Sequence, residues 1–220
     1  MRQGPGARGL RLADDVLRGG WDRALRLAWE AFRARTTPVG AVVVDERGAI
    51  LAEGRGRRYD ATAPAGQLAG THIAHAEVNV LSQLSAQRDW EDAFLLTSLE
   101  PCTMCHGAAV QATIAGFAFA GRDPYGGTAA LRFDTPQARR RGLVISGPLP
   151  GPLGALAEML HVAFLTSRGR HVLDAQRAAM PDITAYTEDV LATLEDAARR
   201  DDYDRALNLA TAAPRQLPQP

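Results

Sequence analysis

From residue 94 to residue 146 the chain alternates extended apolar stretches with helical ones: a strand at 94–98, a helix at 102–113, a strand at 117–121, a Gly-rich loop at 122–128 and a strand at 143–146. Such β-α-β-α-β alternation requires a sheet with parallel pairs and helices on its faces. Upstream, Ala41-Val42-Val43-Val44 and Ala49-Ile50-Leu51-Ala52 flank the turn Asp45-Glu46-Arg47-Gly48 and read as a hairpin. Before it, Trp21, Leu25, Ala28, Trp29 and Phe32 recur at helical spacing until Thr37-Pro38 ends the run. A helix is expected at 74–84, and three more at 153–167, 183–199 and near 203–209, beyond the Gly/Pro punctuation of 148–152. The irregular segment 54–71 is long enough to be a functional loop.

The 220 residues, 46% of them hydrophobic, suit one domain with an appendage. No run approaches the roughly 18 to 20 apolar residues of a spanning helix, and residues 1–11 hold no apolar block of a signal peptide, so a cytoplasmic protein is expected. The 25 acidic side chains balance the 25 basic ones, which gives no global pull toward nucleic acid. Every basic residue is arginine, which rules out lysine-based chemistry such as a Schiff base or a P-loop lysine.

Only two cysteines occur, and they sit three apart, as Pro101-Cys102-Thr103-Met104-Cys105. That spacing is no disulfide framework; it suits a metal site or a thioredoxin-type redox pair, whose thiols a helix N-terminus would acidify. A second pattern, His75-Ala76-Glu77, opens the preceding helix. Residues i and i+2 diverge in mid-helix, so His75 and Glu77 can serve one centre only at a helix start. Cys102 and Cys105 share a face of the first turn of the next helix. The two helix starts together offer His75, Cys102 and Cys105 as three ligands to one Zn²⁺ per chain, with a fourth position open to an acidified water. Glu77, beside a ligand but not needed as one, is the candidate catalytic residue: it takes the water proton and returns it to a substrate ring nitrogen and to the leaving amine.

With these residues the chain resembles the zinc-dependent cytidine/deoxycytidylate deaminase superfamily, whose signature is H-x-E followed by P-C-x-x-C. Pro38-Val39-Gly40-Ala41, Thr97-Ser98-Leu99-Glu100 and Gly121-Arg122-Asp123 are similar to the branch of tRNA adenosine deaminases and guanine deaminases, over residues 20–148. The resemblance implies an α/β fold: a three-layer α/β/α sandwich around a five-stranded mixed sheet, cytidine-deaminase-like, to which the helices read after 152, without counterpart in the family, add a C-terminal helical extension. The division expected is a flexible segment at 1–19, the zinc deaminase domain at 20–148, the helical extension at 149–213 and a disordered tail at 214–220. It also implies hydrolytic release of ammonia from a base, nucleoside or nucleotide, and a homodimer. Two alternatives stand beside it: a tRNA-editing adenosine deaminase and a C-x-x-C thiol-disulfide oxidoreductase.

The chain departs from its relatives where they carry an asparagine after the second hairpin strand; Gly56 stands there. It departs again ahead of the histidine, where Thr71-His72-Ile73-Ala74 replaces Asp-Pro-Thr. Candidate substrate contacts are Gly56, Tyr59, Leu99, Glu100, Asp123 and Tyr125, the last two because they follow a strand on the ligand side of the sheet. His72 lies one turn before His75, His106 follows a ligand directly, and His161 lies on a helix with Leu156, Leu160 and Phe164 in an amphipathic pattern. Arg55, Arg57, Arg58 and the run Arg139 to Arg141 are candidate phosphate contacts.

Overall fold

The computed structural model describes residues 14–131, 134–168 and 170–215. Helix α1 (Asp14–Arg33) leads into a hairpin of β1 (Gly40–Val44) and β2 (Ile50–Arg55). There follow α2 (Ala76–Leu81), β3 (Phe94–Leu99), α3 (Thr103–Gln111), β4 (Gly116–Gly121), α4 (Pro136–Arg141) and β5 (Val144–Ser146). Four helices complete the described chain: α5 (Gly151–Thr166), α6 (Arg170–Ala179), α7 (Pro181–Arg200) and α8 (Tyr203–Ala212).

The five strands form one sheet in the order β2-β1-β3-β4-β5. β1 pairs antiparallel with β2 and β3, while β3, β4 and β5 run parallel, so the sheet is mixed as expected. The antiparallel side comes from the hairpin and the parallel side from helical crossovers, each connection using the geometry its length permits.

Both faces are covered, which is why β1 and β3 are buried along their whole length and are mostly apolar, Thr97 and Ser98 of β3 being the exceptions. Val42, Val44 and Leu96 face α1 and α5, whereas Ala41, Val43 and Leu95 face α2 and α3. The first of these layers is tight: a Cβ on Gly40 would lie 2.2 Å from the carbonyl oxygen of Ala24, so only glycine lets α1 settle on β1.

The helices beyond β5 share this first core. Leu156, Met159 and Leu160 of α5 and Leu194 and Ala197 of α7 pack with Trp21, Leu25 and Trp29 of α1. Helix α5 is therefore buried almost all round, not amphipathic, because α6, α7 and α8 cover the side that α1 and the sheet leave free.

Four elements differ from the sequence reading. Helix α1 starts at Asp14, seven residues before the apolar periodicity at Trp21 becomes legible. Helix α4 has no buried residue and hence no apolar stripe to read; its signals are the Thr135 cap, Pro136 and the left-handed Gly142. Helix α6 was also unexpected, being ten residues long with little apolar content beyond Val172 and Leu173. The tail expected to be disordered from 214 is ordered at Arg215, whose side chain is only 6% exposed against α5. The rest of that tail, 216–220, and the first thirteen residues of the expected flexible segment lie outside the described residues.

Candidate metal centre

Two helix starts meet beside the carboxyl end of β3. His75 is the N-cap residue of α2 and Cys102 the N-cap residue of α3, both with extended backbone. Neither side chain caps its own helix, so both are free to point away from it. Cys105 lies one turn into α3 and is buried.

The three donor atoms form a compact triangle. The sulfurs of Cys102 and Cys105 are 3.6 Å apart, and Nδ1 of His75 lies 3.7 Å from the first and 3.5 Å from the second. A tetrahedral zinc ion with bonds of about 2.3 Å to sulfur and about 2.0 Å to nitrogen places its ligand atoms roughly 3.5–3.8 Å apart. The triangle therefore fits one zinc ion, with a fourth position left for a non-protein ligand.

The protonation of the pair agrees with a cation site. The less buried Cys102 carries the negative charge: a hydrogen bond from Cys105, supported by His75, brings its pKa down to about 3. The same bond, with burial, pushes the Cys105 thiol far up, because two adjacent thiolates repel unless a cation lies between them. The neighbouring Cys102 in turn raises His75.

Glu77 stands beside the triangle. Its carboxyl is buried, Oε2 is 3.3 Å from the Cys105 sulfur, and Oε1 accepts a hydrogen bond of 2.8 Å from the Thr97 hydroxyl of β3. Burial raises its pKa above the usual carboxylate range, with His75 and Thr97 opposing in part. Sequence reasoning missed Thr97; the polar pair Thr97-Ser98 at the end of an apolar strand was the available signal.

The other candidates divide. Leu99 is buried in the core under α2 and α3. Glu100 is not aimed at a ligand: its two oxygens accept backbone N–H bonds from Ala129 (2.9 Å) and Asp123 (3.3 Å), bracing the loop after β4. Asp123 accepts from the N–H of Tyr125 and, at 3.4 Å, from the amide of Gln176 in α6. The exposed Tyr125 ring meets the edge of His171. Gly56 presents backbone only, since a Cβ there would lie 2.3 Å from the carbonyl oxygen of Thr37, leaving no room for an asparagine. Tyr59 is half exposed and packs toward Phe164, on the α5 side of its loop.

His106 is packed, with Nδ1 3.2 Å from Thr128 Oγ1 and its ring edge-on to Phe117. His72 contacts Arg58. His161 is buried and neither ring nitrogen finds a hydrogen-bond partner among the described residues; burial lowers its pKa and holds it neutral. Two expected phosphate contacts are occupied, because Arg55 and Arg57 both pair with Asp60 at 2.8 and 2.9 Å. Arg139 and Arg141 pair with Asp134 and Glu91. Asn79, also unforeseen, ties the 56–75 loop to α2 by accepting from Leu68 N–H and donating to the carbonyls of Leu68 and Arg55.

The family model for the zinc-binding region of cytidine and deoxycytidylate deaminases matches residues 19–120, which contain His75, Glu77, Thr97, Cys102 and Cys105. A tRNA-specific adenosine deaminase of Bacillus subtilis is 32% identical over 139 residues, 60% of this chain and 81% of that protein. The chain belongs to the cytidine and deoxycytidylate deaminase family. Guanine deaminase of the same organism is 38% identical over 90 residues, 39% of this chain and 52% of that protein. A tRNA(Ile)-lysidine synthase of Deinococcus radiodurans is 34% identical over 121 residues, 54% of this chain, and the chain spans only 19% of its length. Among solved structures, a protein in complex with 2,6-diaminopurine shares the fold, with a TM-score of 0.50 at 24% identity over 69% of this chain and 82% of that one.

Proposed function

We propose that this member of the family is a zinc-dependent hydrolase that deaminates an amino-substituted nucleobase, nucleoside or nucleotide and releases ammonia. The observation that carries the reading is the buried Glu77 carboxyl placed against a three-residue zinc site with an open fourth position. Zinc bound there supplies a Lewis acid that brings the pKa of a water toward about 7.

The chain's own residues do the rest. Thr97 fixes Oε1 of Glu77, which leaves Oε2 on the side of the metal ligands. Burial raises the pKa of this carboxyl, which makes it a stronger base toward the water proton. Glu77 accepts a proton from the attacking water and delivers it to the ring nitrogen next to the amine-bearing carbon. In the second half it takes the proton of the hydroxyl now on that carbon and passes it to the amine; the carbon–nitrogen bond breaks, a carbonyl replaces the amino group and ammonia leaves.

A free base, nucleoside or nucleotide is preferred over tRNA because the chain has no net charge and Gly56 offers no side chain where relatives present an asparagine. Similarity to the tRNA-specific enzyme over 81% of its length keeps the tRNA reading as the second. A thiol-disulfide role for Cys102 and Cys105 would leave His75 and Glu77 without work. The proposed division keeps residues 20–148 as the deaminase domain and 149–213 as its helical extension. The proposal also includes a homodimer and a reducing cytoplasmic setting, which suits the free thiols. Among the described residues no helix is long and apolar enough to cross a membrane.

The test is ammonia release from a panel of cytosine, adenine, guanine and pterin compounds, with metal analysis on the same protein. About one zinc per chain is expected, and Glu77→Gln should retain it while losing turnover by roughly 10²–10⁴-fold. Metal-free protein with full activity, or an unchanged Glu77→Gln, would sink the reading; retention of tRNA at low salt with no small-molecule turnover would favour the second one.

A further inference from the structure

A cleft of about 700 Å³ opens where the ends of α1 and α5 meet α7 and the 56–75 loop. It shares no residue with the metal triangle. Its walls carry four arginines, Arg33, Arg35, Arg168 and Arg199, against one acid, Glu195. Arg33 is paired with Asp201 and Arg199 with Asp196. Among the described residues Arg35 and Arg168 have no carboxylate partner, and Glu195 bonds to neither.

The Arg168 guanidinium is held by stacking, and the Arg35 side chain is set by its backbone. Arg168 lies over the Tyr59 ring, 4.3 Å from its centroid, with Phe164 further along at 5.6 Å. Stacking uses the face of the guanidinium and leaves its N–H donors, which lie in the plane, free at the edge for an anion. Arg35 sits in the left-handed region at φ 57. It occupies the position after α1 where N–H bonds from Arg35 to Phe32 and from Thr36 to Ala31 close the helix, a place that favours glycine. A large cation there carries backbone strain that glycine would avoid, and strain of this kind is associated with functional sites.

We propose that this cleft binds a phosphorylated nucleotide unit, its phosphate on Arg35 and Arg168 and its base against the stack that Arg168 forms with Tyr59 and Phe164. The volume suits a ligand of that size, and paired cationic and aromatic surfaces are how nucleotides are held without reading their sequence. The phosphate site stands on the geometry alone; the choice of a nucleotide to fill it rests on the deaminase reading. The same chemistry could come from a free mononucleotide or from the backbone of single-stranded RNA.

Calorimetric titration of the zinc-loaded full chain with UMP, uridine, inorganic phosphate and a ten-residue oligouridylate tests this, since uracil carries no amine to be deaminated. UMP is expected to bind at least about tenfold tighter than uridine and than phosphate, and the double variant Arg35→Gly with Arg168→Gln should weaken it by about tenfold or more. Glycine relieves the strain at position 35, so this variant should fold, and its release of ammonia from a free base should match the wild type. Binding of UMP no better than uridine, or unchanged in the double variant, overturns the site. Equal binding of UMP and phosphate overturns the nucleotide. An oligouridylate tighter than UMP by more than tenfold identifies RNA as the source, and parity identifies the mononucleotide. If no base is deaminated but UMP behaves as expected, the deaminase reading fails and the cleft stands.

Discussion

Replacing Arg215 by alanine should lower the melting temperature by about 6–12 °C. Glu158 of α5 is fully buried, and the Arg215 side chain is 6% exposed. Arg215 donates from Nε to Oε2 at 2.8 Å and from one terminal nitrogen to Oε1 at 3.0 Å and to the Ala120 carbonyl at 2.9 Å; the other bonds the Leu149 carbonyl. Removing one partner of such a pair leaves a buried charge unmatched, at a cost of about 3–5 kcal/mol. Here Arg122 remains, with its backbone N–H at 3.1 Å and its Nε at 3.3 Å from Oε1, so the lower end, about 3 kcal/mol, applies. In a chain of this size each kcal/mol moves the melting temperature by about 2–4 °C. The assay is thermal unfolding followed by circular dichroism. The double variant Glu158→Met with Arg215→Leu should recover most of the loss, because an apolar pair replaces the ion pair without stranding a charge. An Arg215→Ala protein melting within about 1 °C of wild type would refute the reasoning.

Three smaller predictions follow from the site. Thr97→Val removes the donor that holds Glu77 and lowers its pKa, so the acid limb of the pH–rate profile should move to higher pH and kcat should fall by about tenfold with zinc content unchanged; an unmoved limb counts against the positioning role. Zinc must displace the proton that Cys105 keeps in the metal-free pair, so affinity should rise with pH, and titrations in buffers of different ionisation enthalpy should show at least one proton released per zinc at pH 7, zero being the refuting value. Arg35→Gly alone should raise stability by about 0.5–1 kcal/mol, read as a higher melting temperature, since the left-handed strain exceeds the entropy that glycine adds to the unfolded chain; a lower melting temperature contradicts this.

The metal site was legible because each half of it is local. His75 at one helix cap and Cys102 with Cys105 in the next first turn are fixed by a few neighbouring residues, and only their meeting needs the sheet. The hairpin and the parallel strands were equally legible, since buried strands advertise themselves as apolar runs. Glu100 shows where this stops. It was a candidate substrate contact, but its oxygens are taken by N–H groups 23 and 29 residues away, which no local pattern reveals. Thr97 and Arg215 belong to the same class: their roles arise from partners 20 and 57 residues distant. Helix α4 was missed for the opposite reason, because a helix that buries nothing has no apolar period.

The helices after β5 could have capped a pocket, covered a helix face or served assembly, and their contacts now define what they do within one chain. They cover the α1 face of the sheet, and they also hold the loop after β4 at Arg122, Asp123 and Tyr125. Glu158 takes the Arg122 N–H, Gln176 reaches Asp123, and His171 meets Tyr125. From its other side the same loop is held by Glu100 and by Thr128, whose hydroxyl donates to the Pro101 carbonyl next to Cys102 at 2.7 Å. A free loop of this length would spend about 1–2 kcal/mol of conformational entropy per residue on becoming ordered. Clamped between α5, α6 and the residues that carry the metal ligands, it is ordered by folding itself. Loosening Glu158 through Arg215 should therefore be felt at Asp123 and Tyr125 as faster amide exchange, well before the metal triangle responds.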